Sequence, residues 1–180
     1  MEPTDKNSYH KFMNETFFNH VDIPRENIHI PDGTLPLDQV EQYCRDYESK
    51  IRSFGGIDLA LVGIGRTGHI GFNEPPSHLS DRTRMVTLHE TTRVDAASAF
   101  GGEENVPRTA ITMGTGTVMD CREIILIATG ENKAEIVRRA LLEVELSQLA
   151  NCPAAYLRTH SSASFHVDEA AGAGLKLRGN

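Results

Sequence analysis

"IDLALVGIG", Ile57 to Gly65, is an almost continuous apolar run of strand length that ends in glycines. An apolar stretch without polar alternation is the pattern of a parallel strand buried on both faces. "EIILIATG", Glu123 to Gly130, repeats it as a second buried strand, and "ASFHVDE", from Ala163, reads as a shorter third. Between and around them lie segments of helical period. Helices alternating with apolar strands specify an α/β domain with a largely parallel sheet flanked by helices.

The helical segments carry their own boundary signals. In "NSYHKFMNETFFNHVDI", Tyr9, Phe12, Met13 and Phe17 fall at helical spacing, with Asn7 or Ser8 available as the cap. "IHIPDGTLP" is a short extended piece broken by Pro31, Gly33 and Pro36. "LDQVEQYCRDYESKIRSFGG" then lines Val40, Tyr43, Tyr47, Ile51 and Phe54 along one face before Gly55 and Gly56 stop it, a helix of about five turns. "TTRVDAASAFGG" reads as a short helix with a threonine cap, Asp95 near its third position and Gly101 and Gly102 closing it. "ENKAEIVRRALLEVEL" supplies a last helix with Ile136, Ala140, Leu141 and Leu146 facing inward.

Composition narrows the class. The 180 residues correspond to one domain spanning residues 1–180, with 39% hydrophobic and 24% charged residues and a net charge of −7. No basic block could track a nucleic-acid backbone. No apolar run approaches the roughly 18 residues of a membrane span. The opening "MEPTDKNSYH" lacks the charged and apolar regions of a secretory signal, so a cytoplasmic protein is expected. Cys44, Cys121 and Cys152 are odd in number and widely spaced, which supports buried thiols over disulfides or a zinc site.

In open parallel sheets ligands bind at the carboxyl ends of the strands. Two loops lie at such ends: Gly63 to Pro75, "GIGRTGHIGFNEP", and Gly130 to Lys133. An imidazole takes and returns protons near neutral pH when a partner fixes its tautomer, so His69 is a candidate proton carrier and Glu74 the nearest partner. Gly63, Gly65, Gly68 and Gly71 allow backbone to approach a ligand closely. Gly130 and the turn beyond it present helix N-terminal amides, and Lys133 adds a point charge, a combination suited to phosphate. Each feature also has a plainer reading: His69 as a loop residue bonded to backbone, Lys133 as a solvated side chain. "MGTGTVM", Met113 to Met119, reads as a glycine-rich turn before a short helix, with a substrate loop as the alternative. "SDRTRMVTL", with Arg82 and Arg84, is an anion site or an exposed strand edge.

Taken together, "SYHKFMNETFFNHVDIPRENIHIPDG", "GIGRTGHIGFNEP", "SDRTRMVTL", "NVPRTAITMGTGTVMD" and "TGENKAEIV" resemble the glucosamine-6-phosphate deaminase (isomerase) family, from about Ser8 to about Ala171. The resemblance implies conversion of glucosamine 6-phosphate and water to fructose 6-phosphate and ammonia on a Rossmann-like sheet, without metal or organic cofactor. It implies that His69 opens the sugar ring with Glu74, that Gly63, Gly65 and Gly71 line the sugar site, and that Lys133 contacts the phosphate. Asn-Glu-Pro at the loop's end separates the pattern from the related 6-phosphogluconolactonases, which makes lactone hydrolysis the weaker alternative.

Three departures stand out. Family members commonly carry aspartate where this chain has Thr67, leaving the histidine one carboxylate partner instead of two. A phosphate-holding arginine of many members falls near Ser98. The family's initial strand, phosphate loop and the aspartate that removes the carbon-2 proton precede the point where Met1 stands. The expectation is therefore a fragment lacking the N-terminal strands, inactive on its own, whose uncovered sheet edge promotes homo-oligomers. Thr67 and Ser98 also leave room for a non-catalytic sugar-phosphate-binding module with a regulatory role.

Overall fold

The computed structural model describes residues 1–175. Three parallel strands form the main sheet in the order β1 (Leu59–Val62), β4 (Glu123–Ala128), β5 (Ala163–Val167). Leu61 pairs with Ile125, and Ile125 with Ser164. Two further strands, β2 (Arg84–Thr87) and β3 (Thr109–Thr112), make a separate antiparallel ribbon with Met85 opposite Ile111. The largely parallel sheet is thus present, and the ribbon is an addition that periodicity did not reveal.

Side chains alternate across a strand, so each strand offers the core only one row. On the packed face, Ala60, Ile124, Leu126 and Ala128 meet Val118 of α4 (Thr115–Met119), Ile136 and Val137 of α5 (Ala134–Arg138), and Ala154, Ala155 and Leu157 of the 3-10 turns at Pro153–Thr159. The other face is open. Leu59 is 51% exposed, Leu61 66% and Ile127 45%, so β1 is not buried on both faces as its composition suggested. β1 lies at the sheet's edge, and among the described residues no layer of helices packs on that face.

The helices begin and end for local reasons. α1 (Tyr9–Thr16) is capped by Ser8, whose hydroxyl accepts the Lys11 amide. α2 (Leu37–Ser53) is followed by Gly55 and Gly56, both at positive φ, which lets the chain turn directly into β1. α3 (Glu90–Phe100) ends on Gly101 in the left-handed region, as expected, but its cap is His89, not threonine: the His89 Nδ1 accepts the Thr91 amide at 3.2 Å. After α5 the chain winds into a π turn at Arg139–Glu143 and leaves helix at Val144. Leu146 therefore lies beyond the helix and is exposed instead of facing inward, whereas Ile136 and Ala140 are buried. The glycine-rich "MGTGTVM" contains the whole of α4, with Gly114 and Gly116 seated against the Leu79 and Asp81 carbonyls.

One buried charge ties the layers together. Glu48 of α2 accepts the Thr83 amide at 2.9 Å, the Thr83 hydroxyl at 2.6 Å and the Thr117 hydroxyl at 2.5 Å. Burial opposes its ionisation, but these donors and Arg82 outweigh burial and hold the carboxyl below its usual range.

The alternation across the sheet sets an expected contrast. Leu126→Ala should lower unfolding free energy by about 2–5 kcal/mol in urea titrations, while Leu61→Ala on the open face stays within about 0.5 kcal/mol; equal losses would contradict this packing.

Candidate functional site

The chain leaves β1 into a loop that folds back on itself. The Gly65 amide donates to the His69 carbonyl at 3.0 Å and the Gly68 amide to the Gly65 carbonyl at 2.9 Å. Glycine is required twice here for steric reasons. A Cβ on Gly65 would stand 2.0 Å from His69 Nε2, and one on Gly68 2.5 Å from Cys152 Sγ, where φ is also +88°. Gly71 packs its backbone against Thr112 Oγ1, and a Cβ on Gly63 would stand 4.0 Å from the Ile127 carbonyl, an ordinary contact. The loop is pinned to the ribbon by Asn73, fully buried, whose amide nitrogen donates to the Ile70 and Met113 carbonyls while its oxygen accepts Arg84 Nη1 at 2.8 Å.

Within this turn the imidazole and the carboxylate meet. His69 Nδ1 lies 3.0 Å from Glu74 Oε2, with both side chains largely buried. Thr67 completes the contact: its hydroxyl donates to Glu74 Oε2 at 2.6 Å, and its oxygen lies 2.9 Å from His69 Nδ1. The threonine's one proton is used on the carboxylate, so both neighbours of Nδ1 are acceptors. This network assigns the proton to Nδ1 and the lone pair to Nε2. On the other carboxylate oxygen, Oε1, the Thr92 hydroxyl of α3 donates a hydrogen bond. Burial raises the Glu74 pKa, but the bonds from His69, Thr67 and Thr92 more than offset it and hold the carboxyl at about 2.

The second loop joins the first. Lys133 Nζ donates to the Ile64 carbonyl at 2.7 Å, so the two strand ends singled out by sequence are in contact. The Gly130 amide is not free, as the sequence suggested; it donates to both carboxylate oxygens of Asp168, at 3.1 and 3.0 Å. Ser98 is exposed on α3. Arg82 pairs with Asp120 at the surface, and Arg84 with Asn73 and Asp81, so both guanidinium groups have partners within the chain. Sequence reasoning missed Thr92 and the pairing of Arg66 with Asp95, two parallel bonds of 2.9 and 2.8 Å. No local spacing signals contacts that cross 18 to 29 residues.

The family model described as glucosamine-6-phosphate isomerases/6-phosphogluconolactonase matches residues 1–166. Over 175 residues the chain is 46% identical to a glucosamine-6-phosphate deaminase of Shewanella woodyi, covering 97% of this chain and 64% of that protein. A Dictyostelium discoideum glucosamine-6-phosphate deaminase is 46% identical over 178 residues, covering 99% of this chain and 65% of its own length. A solved structure of a monomeric glucosamine-6-phosphate deaminase superposes with a TM-score of 0.90 at 41% identity, over 97% of this chain and 70% of that one. The chain thus spans somewhat less than two thirds of the curated relatives it matches.

Because the Glu74 carboxyl is depressed, it stabilises the fold fully above about pH 5, and that contribution is lost as pH falls from about 5 toward 2. Glu74→Gln should flatten the pH profile of unfolding free energy over this window by on the order of 3 kcal/mol, read from urea titrations between pH 7 and 2.5. A variant profile parallel to the parent's would refute the ionised, hydrogen-bonded carboxylate.

Proposed function

Since this chain belongs to the glucosamine-6-phosphate isomerase/6-phosphogluconolactonase family, we propose that it carries the ring-opening site of an isomerising deaminase that converts glucosamine 6-phosphate and water to fructose 6-phosphate and ammonia. The observation that carries this reading is the 3.0 Å contact between His69 Nδ1 and Glu74, with Nε2 left as the basic nitrogen. Opening the cyclic hemiacetal breaks the C1–O5 bond, removes a proton from the anomeric hydroxyl and delivers one to O5. One imidazole can do both in turn. Glu74 stays an anion and stabilises the imidazolium formed between the two transfers; with both its oxygens occupied, it does not serve as the base for the carbon-2 proton.

Lys133 supports the phosphate end of this reading. Its ammonium uses one N–H on the Ile64 carbonyl and keeps two for an anion beside the sugar loop. Gly63, Gly65 and Gly71 are assigned to the sugar-lining backbone. A binding-only module draws support from Ser98, which offers no charge to a phosphate, but mere binding has no use for an oriented proton-transfer pair. The reaction is assigned to the cytoplasm, in keeping with three buried free thiols, and among the described residues no helix is long and apolar enough to cross a membrane. The open apolar sheet face supports self-association of this chain, although the similar solved structure is of a monomer.

In a complete version of the protein, His69→Gln should lower ammonia and fructose 6-phosphate release by roughly two to four orders of magnitude with sugar-phosphate binding kept. Near-normal turnover would reject the ring-opening role. Lys133→Ala should raise KM about tenfold or more with a smaller change in kcat, and an unchanged KM would remove Lys133 from the phosphate site.

A further inference from the structure

α3 is an unusual helix: it has eleven residues and none of them is buried. Hydrophobic packing therefore does not decide where it sits. Its described anchors to the site loop are polar and lie three residues apart, on one face of the helix. Thr92 donates to Glu74 Oε1, and Asp95 receives both bonds from Arg66, the loop residue beside Thr67. Thr92 also stands in the first turn of α3, where the helix dipole favours a neighbouring anion.

We propose that Thr92, together with Thr67, is a positioning residue for the proton-transfer pair: its hydroxyl anchors Glu74 so that the carboxylate keeps the Nδ1–H of His69 and leaves Nε2 to handle protons. This rests on the ring-opening reading of His69. The argument is one of counting donors. A carboxylate has two oxygens, and Glu74 Oε2 already serves His69 and Thr67. With Oε1 unheld, the carboxylate could rotate about its terminal torsion, which is soft, and present either oxygen or neither to the ring. Thr92 removes that freedom. The two threonine hydroxyls thus do, with uncharged groups from opposite sides, the orienting work for which a second carboxylate beside the histidine would be the charged solution. They add no second negative charge to a largely buried site, where like charges raise one another's pKa.

The test is the histidine tautomer, read directly by nitrogen-15 chemical shifts of the imidazole in the chain labelled at its eight histidines, with His69→Gln assigning the signals. In the parent, neutral His69 should carry its proton on Nδ1. Thr92→Val, close in shape and lacking the donor, should lower the ratio of the Nδ1–H to the Nε2–H form roughly fivefold or more, the size of one lost hydrogen bond, while Thr92→Ser restores the parent ratio. Circular dichroism verifies that both variants fold; should Thr92→Val not fold, Thr92→Ala serves in its place. A parent with the proton on Nε2, or a Thr92→Val ratio equal to the parent's, overturns the proposal. Turnover of glucosamine 6-phosphate is measured beside it in a complete version of the protein: Thr92→Val should lower kcat with KM little changed, and serine should rescue it. Absence of ammonia release from a complete version of the protein would count against the ring-opening reading alone, because the tautomer shift decides the positioning role separately.

Discussion

Asn73 has no exposed surface, and both polar atoms of its side-chain amide are hydrogen-bonded. An amide buried without partners would cost several kcal/mol, so its bonds specify one loop conformation and penalise the others. Those bonds run in two directions. The amide nitrogen closes the turn onto Ile70 and reaches Met113 beyond β3, and the oxygen takes Arg84 from β2. A loop rising from the parallel sheet is thereby fastened to the antiparallel ribbon, and the next residue, Glu74, receives a fixed direction from it.

That direction is what turns two ordinary side chains into a pair. His69 and Glu74 are brought together by a turn whose glycines clear space for the ring and for Cys152. Thr67 supplies a hydroxyl where a carboxylate would put a second charge. Because its His69, Thr67 and Thr92 partners all donate to it, the Glu74 carboxylate remains ionised far below neutral pH, and Nε2 is the ring nitrogen left without a proton. Electrostatics here act through donor geometry more than through net charge.

The architecture around the site is uneven. One face of the sheet packs a dense apolar core against α4, α5 and the 3-10 turns, while Leu59, Leu61 and Ile127 look outward. α3, unburied, is held to the site by hydroxyl, carboxylate and guanidinium contacts. Elements fixed by polar contacts answer to single substitutions more sharply than elements embedded in a core, since each contact is a large share of what holds them.

Sequence alone determined the class and much of the site. The apolar runs at Ile57 and Glu123 identified parallel strands because period-free hydrophobicity has few other uses at that length, and the glycine signals after α2 and α3 ended those helices where the chain turns. The loops at Gly63 and Gly130 were legible because ligand sites follow strand carboxyl ends, and they do meet, through Lys133 and Ile64. Tertiary structure decided what depends on distant partners. An apolar strand looks the same whether one face or both are covered, so the exposure of Leu61 could not be read from its neighbours. His89 displaced threonine as a cap because a ring nitrogen can accept as well as a hydroxyl oxygen. Gly130 lost its free amide to Asp168, and Glu74 gained Thr92, through contacts spanning 38 and 18 residues, respectively; hydrogen bonds between segments leave no periodicity in the chain that makes them.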